Sequence, residues 1–235
     1  YPAAWPGIYF RADSKSNVLN YAVIKNSYQS IAAEGLAAGG PKVTLNQCVI
    51  DNSYDAGIIA LNSSIKATNC LISNCGKNIA IGKGGDYEFT HCTVASYFTR
   101  FLEHNNPVVT LSDVNGTTPA TLNALFRNCI LWGESEVFDN EVVVEKTSSN
   151  GSVTFDQVLW RMKTIPANIT VTPSPINQVP QFDSIDVSKN YWDFRLNTGN
   201  SPAVDSGKDL GITIDLDGNI RPVGTKPDLG CFEKQ

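Results

Sequence analysis

The sequence predicts an all-β solenoid, a stack of short coils built from parallel strands. Two observations predict it. Cysteine recurs at a fixed spacing, since Cys48, Cys70 and Cys92 lie 22 residues apart and Cys129 follows after 37. Around each cysteine, apolar residues recur at a period of two, which indicates strands rather than helices. Because a repeat of about 20–50 residues buries its apolar face only against its neighbours, the copies must stack.

Each repeat supplies two adjoining strands. With the cysteine as position zero, the residues five and three places earlier point inward, as do position zero and the residue two places later. The alternation of inward and outward positions shifts by one residue between these two pairs, which predicts a bend there. Six copies align, and their position zero is held by Ala22, Cys48, Cys70, Cys92, Cys129 and Val158. Because Ala and Val also fill this position, it requires a small apolar group, and we expect the thiols to be reduced and buried.

A third short strand follows each pair. Its inward residues read Ile31/Ala33, Ile58/Ala60 and Ile79/Ile81 in successive copies. Each copy therefore predicts one coil of three short strands, and the chain has room for about six to seven coils.

An asparagine column marks one corner of the coil at Asn26, Asn52 and Asn74. Asparagine tolerates the left-handed backbone of a tight corner, and its amide can bond to the asparagine one coil away. With this ladder the chain resembles the right-handed parallel β-helix proteins of the pectate-lyase-like superfamily over residues 8–182. The resemblance implies a single-domain right-handed parallel β-helix.

The chain divides into two parts of one domain. Residues 1–182 are predicted to form the β-helix, with long loops at 99–123, 133–152 and 161–181. Residues 183–235 are predicted to form a capping and packing segment, because the repeat stops there and a solenoid end exposes strand edges and apolar surface.

The last part of the chain carries several distinctive sequence motifs. They are Tyr191–Leu196, Ser201–Gly207, Asp215–Pro222 and Asp228–Glu233. Their residues and spacing, including the motifs D-x-DG-x-x-R and DLG-x-FE, resemble the C-terminal segment of secreted bacterial β-helix proteins, often from Bacteroidetes. The resemblance implies a fold-terminating module and a secreted, periplasmic or cell-surface bacterial protein. It implies no reaction.

One outward column is almost wholly apolar. It reads Val23, Val49, Leu71, Thr93, Ile130 and Leu159. An apolar stripe of this length should not meet water. We expect a later segment of the chain to cover it, with a partner surface as the alternative.

Composition excludes several classes of protein. The net charge of −5 argues against a nucleic-acid partner, which would favour a basic surface. No apolar run approaches the roughly 18 residues of a membrane span. We expect a monomer or part of a longer chain.

No cofactor is expected, although one segment has the spacing of a calcium loop. Asp215, Asp217 and Asn219 place oxygen donors at alternate positions. A lysine stands where an EF-hand would place its bidentate glutamate. The alternative is a turn in which Asp217, Asp228 and Arg221 form a hydrogen-bonded network.

No catalytic motif of β-helix hydrolases or lyases occurs in the sequence. The candidate catalytic residues lie in the long loop and on outward strand positions: Arg100, Glu103, His104, Lys66, Glu88 and Arg127. A set of acids, bases and cations of this kind could serve a saccharide groove. The alternative is ordinary cross-strand ion pairs, with Lys66 beside Glu88 and Arg127 beside Asp156.

Two tyrosines, Tyr28 and Tyr54, occupy equivalent corners of neighbouring coils and could stack on sugar rings. They support a first hypothesis, a polysaccharide-binding or adhesive module. The second hypothesis is a polysaccharide lyase or glycoside hydrolase, and the third is a structural fragment of a larger surface protein. The β-helix fold does not distinguish among these three hypotheses, because proteins of this fold have many functions.

Overall fold

The computed structural model describes residues 1–135, 137–197 and 200–235, and it confirms the predicted parallel β-helix. In chain order the strands are β1 (Ile8–Phe10), β2 (Asn17–Asn20), β3 (Val23–Lys25), β4 (Gln29–Glu34), β5 (Val43–Asn46), β6 (Val49–Asp51), β7 (Ala56–Thr68), β8 (Leu71–Ser73), β9 (Lys77–Thr90), β10 (Thr93–Ser96), β11 (Val109–Ser112), β12 (Leu122–Gly133), β13 (Val142–Glu145), β14 (Val153–Trp160), β15 (Thr170–Val171), β16 (Phe182–Asp186) and β17 (Tyr191–Leu196). One 3₁₀ turn, Val187–Lys189, joins the last two strands.

Three parallel stacks of strands form the walls of the solenoid. Stack A contains β1, β4, the first halves of β7 and β9, β11 and β13. Stack B contains β2, β5, the second halves of β7 and β9, the first part of β12, the first part of β14, and β15. Stack C contains β3, β6, β8, β10 and the ends of β12 and β14. The described chain thus passes through A, B and C six times, and β15 begins a partial seventh coil.

The strand register reproduces the columns expected from the sequence. Ile24 pairs with Ile50, which pairs with Ile72, and Cys129 pairs with Val158. Ile31 likewise pairs with Ile58 in stack A. The period-two pattern therefore predicted which side chains share a rung.

Left-handed residues turn each coil from stack B to stack C. The corner residues have φ values of 50–55° and are Tyr21, Gln47, Asn69, His91, Asn128 and Gln157. One residue of this conformation reverses the parity of the strand, which explains the break in the sequence pattern. At the corner from C to A, the asparagines are also left-handed, and Asn52 Nδ2 donates to Asn26 Oδ1 at 2.6 Å.

The interior is closely packed and contains the cysteine column. Phe126 stacks on Phe89 at 4.8 Å and on Phe155 at 5.1 Å between ring centroids. All six cysteines are buried and unbonded to one another. Burial holds the pKa of Cys70 and of Cys92, both in the column, well above the usual range. The column therefore acts as apolar packing rather than as reactive thiol.

The long connections contain more regular structure than the loop boundaries imply. β11 lies within the stretch 99–123, β13 within 133–152 and β15 within 161–181. Each is a stack A or stack B strand, so the insertions sit at corners before and after them. Glu136, Thr198 and Gly199, which belong to the predicted loop 133–152 and the predicted segment 183–235, lie outside the described residues.

The C-terminal segment packs on the outer face of stack C. A second apolar cluster joins Leu71, Ile130 and Leu159 to Phe194 and Leu229. This is the outward apolar column, and a later segment covers it as expected from the sequence. Cover is incomplete at the first coil, where Val23 remains exposed. Among the described residues, no helix is long and apolar enough to cross a membrane.

Candidate functional site

The outer face of stack A carries an open groove of about 460 Å³. Two aromatic side chains line it, Tyr9 from the first coil and Tyr28 from the corner that enters the second. Its floor is apolar and shallow, with Ala32 and Ile59 from successive coils and Leu61 at one side. Strand alternation places these side chains outward, because the inward positions of stack A hold the core isoleucines.

Polar groups stand beside the aromatic rings. The Tyr9 hydroxyl donates to Glu34, whose carboxylate raises the pKa of that tyrosine. Gln29 Nε2 donates to Asp55 Oδ2 at 2.7 Å, and Lys77 Nζ lies 3.1 Å from Asp55 Oδ1. Burial alone would raise the pKa of Asp55, but the bonds from Gln29 and Lys77 outweigh it and leave that pKa below its usual value. The groove therefore offers amide, carboxylate and hydroxyl groups in fixed positions.

Tyr28 and Tyr54 form the stacked pair that their spacing suggested. Their ring centroids are 5.8 Å apart with an interplanar angle of 25°. Each ring covers part of the other, yet Tyr28 stays 45% exposed and Tyr54 55% exposed. The pair thus stabilises the corner and still presents aromatic surface to solvent.

Stack B carries the predicted row of charged residues on a separate face. Lys66 Nζ lies 3.5 Å from Glu88 Oε2, and Arg127 donates to Glu88 Oε1 at 2.5 Å. Arg127 was expected to pair with Asp156, which instead binds Lys208 at 2.5 Å. The difference arises because Lys208 comes from the C-terminal segment, and sequence spacing within the coils does not reveal it.

This row borders a second open cleft of about 410 Å³, lined by Lys66, Asp86, Glu88 and Asn123 among others. Asn123 Nδ2 donates to Asp86 Oδ1 at 2.7 Å. Glu88 contacts both cations, so a negatively charged substrate would have to displace it to reach either one. The charges of this face are largely satisfied within the protein.

The loop candidates lie at the corner between stacks C and A, away from the stack B face. The backbone N–H of Arg100 donates to Asn190 Oδ1 at 3.0 Å, and its guanidinium lies 5.9 Å from the Phe101 ring centre. Glu103 accepts a bond from Asn105 at 2.8 Å. The structure therefore does not bring the loop residues together with the stack B residues into one site.

His104 is buried rather than free. Its Nε2 lies 2.9 Å from Glu141 Oε1 and 3.1 Å from Oε2, and Glu141 is fully buried. A side chain at Gly133 would collide with both groups, since its Cβ would lie 2.3 Å from His104 Nε2. Arg161 approaches the same carboxylate at 3.8 Å. This pair joins two coils and serves the packing of the corner.

The candidate calcium loop is a hydrogen-bonded turn. The Asp215 carboxylate accepts from the backbone of Asn219 at 2.8 Å and of Glu233 at 3.0 Å. Asp217 pairs with Arg195 at 2.7 Å. In the described part of the chain, no group of three or more His, Cys, Asp or Glu side chains is disposed to hold a metal ion.

The expected cap network exists, but its centre differs from the sequence-based interpretation. Arg221 Nε donates to Glu233 Oε2 at 2.9 Å, and both side chains are buried. Arg221 also reaches Asn69 Oδ1 at 2.8 Å. Asp228 accepts backbone bonds, and Asp217 takes no part. The sequence motif contains Glu233, but its pairing with Arg221 was missed because its spacing does not reveal that this carboxylate is buried.

Sequence reasoning also missed three groove residues, Tyr9, Gln29 and Glu34. The outward positions of Tyr9 and Glu34 could be read from the alternation around Ile8 and Ile31, whereas alternation alone would place Gln29 inward. That these three side chains line one groove could not be predicted, because it depends on which outer faces the rest of the chain leaves uncovered.

Comparison with known proteins supports the fold and nothing finer. No protein-family model matches the chain, and no curated protein matches it in sequence. Among solved structures, the chain is similar to one described as the crystal structure of pectate lyase Pel9A, with a TM-score of 0.50 and 15% identity. The likeness covers 94% of this chain and 60% of that one, so the chain spans 60% of the length of that structure. The likeness agrees with the strand pairing and shows a parallel β-helix fold.

Proposed function

We propose that this chain is a polysaccharide-binding module of a secreted or cell-surface bacterial protein. The observation that carries the proposal is the stack A groove, where Tyr9 and Tyr28 flank a shallow apolar floor beside Gln29 and Glu34. Sugar rings combine apolar C–H faces with hydroxyl groups, and this groove offers aromatic surface and hydrogen-bonding groups side by side. The fold likeness to a pectate lyase adds an association with polysaccharides.

Binding to a polysaccharide array tests the proposal, and single substitutions locate the site. Tyr28→Ala and Tyr9→Ala should each weaken binding about five- to thirtyfold, equivalent to about 1–2 kcal/mol for a contact aromatic. Affinity electrophoresis or calorimetry measures the change. Tyr21→Ala is the matched control, since Tyr21 is 71% exposed and does not line the groove.

Equal weakening by the control would mean that the groove is not the site. Absence of binding to every polymer would favour the third hypothesis, a structural fragment of a larger surface protein.

The second candidate function is a polysaccharide lyase or glycoside hydrolase. It is favoured by the row of Lys66, Glu88 and Arg127 beside the stack B cleft. A basic side chain and a carboxylate at one cleft could exchange protons with a substrate. The same array, read for unsaturated uronate absorbance and new reducing ends, tests it. Product lost in both Lys66→Ala and Glu88→Gln would establish this function.

A further inference from the structure

We propose that the stack A groove takes a neutral polysaccharide, lying lengthwise along the solenoid axis. The inference rests on the proposed function and names its ligand class. Two features of the groove support this ligand class, the shape of its floor and the charge of its lining.

One outward column of stack A runs the length of the described solenoid. Register pairs its members one strand to the next, and they are Tyr9, Ala32, Ile59, Ala80, Thr110 and Val143. With neighbouring strands about 4.8 Å apart, the column extends roughly 24 Å. Its members are apolar or weakly polar, and several are small. The floor of the groove therefore lies on a column of small or apolar outward positions that continues past Ile59, which suits an extended chain rather than a compact ligand.

The charge of the groove opposes an acidic polymer. Among the described residues that line it, the only charged side chain is Glu34. Lys77 on an adjoining turn pairs with Asp55 at 3.1 Å, and Arg11 lies outside the groove lining in an exposed pair with Asp13 at 3.7 Å. Lys83 is exposed in the corner after β9's first half and lies outside the groove lining. A uronate carboxylate would meet the like charge of Glu34 here, and no cation among the described lining residues would balance it.

A neutral sugar meets no such penalty. Its hydroxyls can bond to Gln29 and Glu34, and its C–H faces can pack on Tyr9, Tyr28 and Ile59. The carboxylate of Glu34 is an acceptor for hydroxyl donors, which strengthens a bond to a neutral ligand.

The test compares neutral polymers, such as β-glucan, xylan and mannan, with acidic ones, such as polygalacturonate and alginate. We expect a neutral polymer to bind at least about tenfold more tightly than any acidic one at low salt. Glu34→Gln should raise the ratio of acidic to neutral affinity about tenfold. Asp209→Asn removes an equal charge from an exposed turn outside the groove lining and should leave that ratio unchanged. Affinity for neutral oligosaccharides should also rise with their length until the groove is filled.

The outcomes separate the two proposals. If an acidic polymer binds best and Tyr28→Ala abolishes that binding, the ligand class is wrong while saccharide binding at the groove stands. If no polymer binds, or if the affinity is unchanged in both Tyr9→Ala and Tyr28→Ala, both proposals at this groove fail.

Discussion

A single histidine at the corner from stack B to stack C couples the stability of the fold to pH. His91 is 1% exposed, and Asn128 Nδ2 lies 2.9 Å from its Nε2. Burial, together with the positive charge of Arg221, lowers the pKa of His91 from 6.5 to about 3. Protonation therefore favours the unfolded chain. The stability is fully present above pH 6.5 and is lost as the pH falls toward 3.

His91→Asn should reduce this loss on the acid side. Asparagine suits the left-handed backbone at φ 50° and already occupies the same column at Asn69 and Asn128. Urea midpoints at pH 7 and pH 4.5 measure the effect, and the wild type should lose on the order of a few kcal/mol more than the variant. Parallel losses in the two proteins would show that another group governs the acid response.

At the scale of elements, a buried ion pair within the C-terminal segment fixes the arginine that joins this segment to the solenoid, since Arg221 also donates to Asn69 Oδ1 at 2.8 Å. Arg221 and Glu233 are each fully buried, and Glu233 also accepts from the backbone of Val223 at 2.8 Å and of Asp228 at 3.0 Å. The approach is close enough to require Gly230, whose φ is +88° and whose Cβ would lie 2.6 Å from Thr93 Oγ1. The segment is thus fitted to stack C.

Arg221→Met should destabilise the protein by about 3–5 kcal/mol, because it leaves the Glu233 carboxylate buried without its partner. Urea unfolding measures the change. Lys163→Met is the control, since its pair with Asp139 at 2.8 Å is exposed and its loss should alter stability little. Similar costs for the two substitutions would show that the buried pair contributes no more than a surface one.

The elements differ in how far the sequence could predict them. The strands and their register followed from alternation, because inward positions repeat every coil and tolerate only small sets of residues, as at Ala22 and Val158. The stack A groove and the Arg221–Glu233 pair did not follow. The groove depends on which outer face the rest of the chain leaves uncovered. The ion pair lies within the C-terminal segment, which has no repeat whose period reveals its contacts.

At the scale of the whole molecule, the three outer faces have different roles. Stack C is covered by the chain itself, stack B carries a row of satisfied ion pairs, and stack A is left open. The open face holds the groove with Tyr9 and Tyr28. A solenoid with one face covered presents the others as extended surfaces, which suits binding to a linear polymer.

Removal of residues 183–235 should expose the apolar outer face of stack C. Leu71, Ala95, Ile130 and Leu159 would then meet water together. We expect the shortened chain to bind a hydrophobic dye and to self-associate, as measured by fluorescence and light scattering. A monomeric, dye-silent product with an unchanged melting temperature would contradict the covering role of this segment.

The bonds between the C-terminal segment and the corner from stack B to stack C have a further consequence. Gln47 donates to the carbonyl of Asp215 at 2.9 Å, Asn69 to that of Ile214 at 2.8 Å and Asn128 to that of Lys208 at 2.7 Å. These corner residues belong to coils two, three and five. One segment therefore runs past four successive coils and contacts these corners at fixed positions. Adding or deleting a coil between them would shift the corners by about 4.8 Å and put the amides out of step with their carbonyls. Repeat proteins usually change length by gaining or losing units, and here the C-terminal segment fixes the number of coils between Gln47 and Asn128.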